Sequence, residues 1–119
     1  MNIQDKINYV EFPCRDFEAT KRFFESVFGW RFQSYGDDYM AFSNAGIEGG
    51  FYRAELCSNA EAGAALIVLF SDSLEDTESK VRDAGGTINQ AIFSFPGGRR
   101  FHFKEPSGNE FAVWSDKGV

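Results

Sequence analysis

Apolar and polar residues alternate, imperfectly, over residues 6–13 (Lys-Ile-Asn-Tyr-Val-Glu-Phe-Pro), a run rich in strand formers that Pro13 ends. Asp16 then offers a carboxylate to the first free amides of a helix. Within that helix Phe17, Thr20, Phe24 and Val27 recur at helical spacing, and Phe23 and Phe28 widen the stripe. Gly29 follows where a left-handed residue would stop the helix. Three strands are predicted next, over 30–34, 39–43 and 47–53. Gly36-Asp37-Asp38 and Asn44-Ala45-Gly46 are the turns between them.

The pattern lapses over 54–63 and restarts as Ala64-Ala65-Leu66-Ile67-Val68-Leu69-Phe70, a continuous apolar run suited to a strand buried on both faces. Asp72, with Glu75 three residues on, predicts a capping box, and Leu74, Thr77, Val81 and Ala84 form the inner stripe of a second helix that Gly85-Gly86 closes. Strands are predicted over 87–93, 99–104 and 109–115, with Pro96-Gly97-Gly98 as a flexible break. The last two flank Glu105-Pro106-Ser107-Gly108 and predict a β-hairpin. Asp16 to Gly29 is thirteen positions, and Asp72 to Gly85 is thirteen again. The chain therefore reads as α+β, two tandem β-α-β-β-β modules in one domain over 1–119. Module one covers about 6–53, the connector 54–63 and module two about 64–115. Curved mixed sheets, each with a helix on one face, would enclose a cleft.

Parity sorts the side chains of the outer strands. Val10, Phe12, Phe111 and Val113 belong to the helix-facing set. Tyr9, Glu11, Glu110, Ala112 and Trp114 belong to the opposite, cleft-facing set. His102, the one histidine, is turned away from the packed rings of Phe101 and Phe103, where a solvent-facing or hydrogen-bonded role is expected rather than a catalytic one. Arg99-Arg100 reads as a solvated pair, with anion clamping as the alternative.

Composition narrows the classes. In 119 residues there are fourteen phenylalanines, a surplus that can line an apolar pocket. A net charge of −6 argues against nucleic acid, which calls for a basic patch. No apolar run approaches the roughly 20 residues that span a bilayer. Cys14 and Cys57 form no metal-type pair and read as reduced thiols, so a cytoplasmic location is expected. There is no glycine-rich phosphate loop and no nucleophile with a histidine partner in the sequence.

Several of these stretches resemble the vicinal oxygen chelate superfamily of glyoxalases, bleomycin-resistance proteins and dioxygenases. They are Val10-Glu11-Phe12-Pro13 leading to Asp16, Phe23-Phe24-Glu25-Ser26-Val27-Phe28-Gly29-Trp30, Gly85-Gly86, and Glu105-Pro106-Ser107-Gly108-Asn109. The resemblance covers nearly the whole chain and implies the glyoxalase/bleomycin-resistance fold of paired β-α-β-β-β modules. It also implies one divalent metal, held by His, Gln or Glu on four equivalent strands. The matching positions here are Tyr9, Gly50, Leu66 and Ala112, which cannot make an oxygen-and-nitrogen site.

The expectation is thus a small-molecule-binding protein without the usual metal centre, and no cofactor. Tyr9, Glu11, Glu110 and Trp114 would form an aromatic and acidic cup for an apolar or cationic ligand. A twofold homodimer is expected from the resemblance, with neither nucleic acid nor membrane as partner. One alternative is a lyase, isomerase or dioxygenase-like enzyme, using an atypical divalent-metal site or a metal-free carboxylate base at Glu11 or Glu110. Another is an interaction module whose cleft is plugged.

Overall fold

Two helices and eight strands form in the computed structural model, which describes residues 2–118. In chain order they are β1 (Tyr9–Cys14), α1 (Phe17–Phe28), β2 (Arg31–Ser34), β3 (Tyr39–Ser43) and β4 (Glu48–Arg53). A short 3-10 turn at Ala60–Ala62 interrupts the connector. Then come β5 (Ile67–Phe70), α2 (Leu74–Asp83), β6 (Thr87–Phe95), β7 (Gly98–Lys104) and β8 (Glu110–Ser115). The first four strands make a mixed sheet in the order β1-β4-β3-β2, and the second four repeat it as β5-β8-β7-β6. In each, the first strand pairs in parallel with the last and the other pairs are antiparallel. The tandem β-α-β-β-β reading is the observed architecture.

Local chemistry explains most boundaries. The Asp16 side chain accepts from the Ala19 amide and opens α1, and Gly29, at φ 71°, closes it in the left-handed region that glycine enters without strain. The second helix differs from expectation. Ser73, not Asp72, is its N-cap, and no side chain caps it. The Ser73 hydroxyl instead donates to Asp76. β5 is also shorter than the apolar run and is not buried on both faces: Val68 and Phe70 are 42% and 49% exposed. Pro96-Gly97 is a tight reversal between paired Phe95 and Gly98, not a loose break.

The helix-facing sides of both sheets share one core with α1. The Phe111 ring lies 5.0 Å from Phe12 and 5.2 Å from Phe24, while Phe23 lies 5.6 Å from Phe103. Trp30 stacks between Phe24 and Phe42 at 4.3 and 4.6 Å. The phenylalanine surplus is therefore largely spent on joining the modules. Since both core faces meet here, the other face of each sheet lies on the far side from this core.

A buried polar knot locks the same junction. Glu105, 2% exposed, accepts from the Thr20 hydroxyl (2.6 Å), the Ser107 amide (2.8 Å), and the Asn109 amide (3.3 Å) and side chain (2.7 Å). Asn109 also donates to the Pro13 carbonyl at 2.7 Å and accepts from the Ser58 amide at 2.8 Å. The Glu-Pro-Ser-Gly-Asn turn thus binds β1, α1 and the connector to the final hairpin. Cys14 and Cys57 are both free thiols touching Ser107, one at its hydroxyl and one at its carbonyl.

Candidate functional site: two half-cups

On the far face of the first sheet, Tyr9 and Glu11 point outward from β1 and meet Tyr39 of β3. The Tyr39 hydroxyl donates to Glu11 at 2.8 Å and lies 2.6 Å from the Tyr9 hydroxyl. A phenol has one proton, so with Tyr39 donating to Glu11, Tyr9 must donate to Tyr39. This leaves the oxygen lone pairs of Tyr9 and the second Glu11 oxygen as the outward-looking groups. Burial, then the hydrogen bonds to Tyr9 and Glu11, push the Tyr39 phenol far above its usual range, so it stays a donor. Gly50 makes this possible: a Cβ there would run into the Tyr39 hydroxyl. Tyr9 also walls a depression of about 330 Å³, with Arg31, Gln33, Ala41, Ser43 and Glu48 around it.

The far face of the second sheet carries Glu110, Ala112 and Trp114 from β8. His102 pairs in register with Ala112 and so shares that face, beside the other two cup residues. It is not solvent-facing: it is 6% exposed, and its Nδ1 lies 3.0 Å from Glu110. Glu110 also accepts from the Ala60 amide (2.9 Å) and Asn89 (3.2 Å). Burial opposes its charge, but these bonds prevail and hold the carboxyl below its usual 4.5. The arginine pair divides. Arg99 forms a two-pronged ion pair with Glu75, while the guanidinium of Arg100 lies 5.3 Å over Phe93 and 5.7 Å over Phe95. Trp114 packs edge-on to exposed Phe70 at 5.2 Å.

Opposite shifts at Glu105 and Glu110 give a signed pH dependence. Burial pushes Glu105 above 4.5 despite its four hydrogen bonds. The folded protein then holds its proton more tightly than the unfolded chain does. Its share of stability is complete below 4.5 and is lost as pH rises through the raised value. The contribution of Glu110 is complete above 4.5 and is lost as pH falls through its lowered value. Carboxyl-carbon NMR titration is expected to place the Glu105 midpoint above 4.5 and the Glu110 midpoint below it. The reverse order would contradict the two environments.

The structure brings Tyr9 and Glu11 together, and Glu110 and Trp114 together, but on different sheets. Among the described residues no hydrogen bond, ion pair or ring contact joins the two pairs. An apolar groove of about 480 Å³ also separates the unpaired edges of β1 and β5, floored by Phe12, Trp30 and Phe42. Sequence parity alone does not pair Tyr39 with Tyr9 and Glu11, or His102 with Glu110. Tyr39 depends on the β3–β4 register and on Gly50. The signal for His102 is its alternation with Phe101 and Phe103, two fully buried rings.

The positions implied for a divalent metal can be checked against this geometry. Tyr9 offers only a neutral phenol whose proton goes to Tyr39, Gly50 is covered by that same ring, Leu66 precedes β5, and Ala112 offers a methyl group. Among the described residues no three His, Cys, Asp or Glu side chains of one chain converge. Tyr9, Gly50, Leu66 and Ala112 by themselves are not a set of oxygen and nitrogen donors that fits a divalent metal.

Paired β-α-β-β-β modules with polar outer faces define a glyoxalase-type protein. A profile of the Glyoxalase/Bleomycin resistance protein/Dioxygenase superfamily matches residues 6–113, and the chain belongs to that superfamily. No curated protein matches the sequence. Among solved structures, a glyoxalase-related enzyme from Fulvimarina pelagi superposes with a TM-score of 0.77 at 14% identity, covering 93% of this chain and 88% of that one. The fosfomycin resistance protein FosX from Listeria monocytogenes gives 0.77 at 13% identity over 98% and 96%. Lactoylglutathione lyase from Agrobacterium tumefaciens gives 0.71 at 15% over 95% and 95%. At these identities the likeness establishes the fold. No helix among the described residues is long and apolar enough to cross a membrane.

Proposed function

We propose that the protein binds a small, largely apolar molecule without a metal, in a cup that two copies complete together. The observation that carries this reading is the depression beside Tyr9, held in shape by the Tyr9–Tyr39–Glu11 hydrogen-bond chain. Tyr9 and Glu48 offer acceptors there beside the donors of Arg31 and Gln33, so this half suits a ligand that brings an N–H donor, cationic or neutral, together with an acceptor. Each chain carries two half-cups on the far sides of its shared core. Exposed Tyr9, Tyr52, Val68 and Phe70 on those faces favour a second copy as the cover. The unpaired edges of β1 and β5 provide the seam along which copies can meet.

Thermal-shift screening against small aromatics, dicarbonyls and basic antibiotics, alongside light scattering, tests this. A dimer with at least one stabilising compound is expected. A monomer stabilised by none would overturn the reading and favour a plugged interaction module. Tyr39→Phe removes the link between Tyr9 and Glu11 and is expected to weaken the selected ligand about 5–10-fold. Unchanged affinity in titration calorimetry would exclude the hydrogen-bond chain from recognition.

A further inference from the structure

The outer face of β7 carries a second kind of chemistry. Arg100, His102 and Lys104 alternate with buried Phe101 and Phe103, which places three basic side chains in one row on a chain of net charge −6. Arg100 makes no hydrogen bond or ion pair among the described residues, and its Nε is buried. The rings of Phe93 and Phe95 hold its guanidinium in place. The Nε2 of His102 is likewise buried and unpartnered. Leaving such groups unpaired is costly, and the cost is relieved by a ligand that satisfies them.

We propose that this face is an oxyanion subsite for a small aromatic or apolar acid, with Arg100 and His102 as its paired donors. The inference rests on the reading that the outer faces bind ligand, and it names the charged end of that ligand. Glu110 does not compete for the site. Its Oε1 is taken by Ala60 and its Oε2 by Asn89 and His102. It fixes the imidazole through Nδ1, so Nε2 is the nitrogen left without a partner, and it donates to an oxyanion when the ring carries both protons. Ala112, in register with His102, puts only a methyl group beside it. Trp114, in register with Arg100, and Phe95, 6.3 Å from Trp114, supply apolar walls for the body of the acid. Opposite His102, the register of edge strand β6 slips twice between Ile88 and Phe93, so this wall lacks a regular ladder and can yield to an incoming group.

Because the chain has one histidine, imidazole-nitrogen NMR reads this site without assignment ambiguity. Benzoate, uncharged benzamide and inorganic phosphate are the probes, added to the wild-type protein. Benzoate is expected to bind about tenfold more tightly than benzamide and to move the Nε2 resonance toward its protonated, hydrogen-bonded position. Arg100→Gln and His102→Gln should each erase that preference, and Arg99→Gln, whose guanidinium pairs with Glu75, should keep it. Phosphate matching benzoate in affinity and in the Nε2 shift would support the subsite and assign it to phosphate esters. Benzamide binding as well as benzoate, with Nε2 unmoved, would overturn the subsite while leaving the ligand-binding reading standing. Binding of none of the three would overturn the subsite, and the thermal-shift panel then tests ligand binding separately.

Discussion

Asn109→Ala is expected to lower the free energy of unfolding by about 3–5 kcal/mol, the range for breaking a buried charged network. The side chain is fully buried and makes three bonds of 2.7–2.8 Å, to the Pro13 carbonyl, a Glu105 oxygen and the Ser58 amide. Alanine removes all three bonds, two of them to the buried Pro13 carbonyl and the buried Glu105 carboxylate. Asn109→Asp should fare no better, since it sets a second acceptor against Glu105 and the Pro13 carbonyl. Urea unfolding of the two variants gives the comparison. Loss of less than about 1 kcal/mol would mean that the connector and β1 find other partners.

Phe111→Ala is expected to cost a further class of energy, about 3–5 kcal/mol from lost burial and the cavity left behind. Its ring touches both modules, lying 5.0 Å from Phe12, 5.2 Å from Phe24 and 5.7 Å from Phe103. A solvent-side change on the same strand, Trp114→Phe, keeps an apolar ring there and should cost far less. Near-equal urea midpoints for Phe111→Ala and the wild type would show that the modules do not depend on this contact.

Much of the fold is legible in local chemistry. Asp16 and Gly29 bound a helix because their side chain and backbone freedom act within a few residues, and Phe12 and Phe111 follow strand parity. The second cap lies one position from its expected place because Asp72 and Ser73 are both competent cap residues, and geometry rather than type decides between them. Val68 and Phe70 read as buried in the sequence, since an apolar run does not reveal that β5 is a sheet edge with one open face. Parity groups Tyr9, Glu11, Glu110 and Trp114 in one set. It does not show that their two sheets share a core and so carry them on separate faces. His102 is the instructive residue. Its alternation with Phe101 and Phe103 already puts it on the face of Ala112, but its bond to Glu110 depends on the β7–β8 register.

The central claim is that ligand sits on the outer faces and that two copies complete the cup. A crystal structure with benzamide, the uncharged probe, tests it most directly. The ring is expected against Tyr9 of one copy and within reach of Trp114 of a second. Benzamide lodged instead in the groove between β1 and β5 of a single chain, with both outer faces bare, would contradict it.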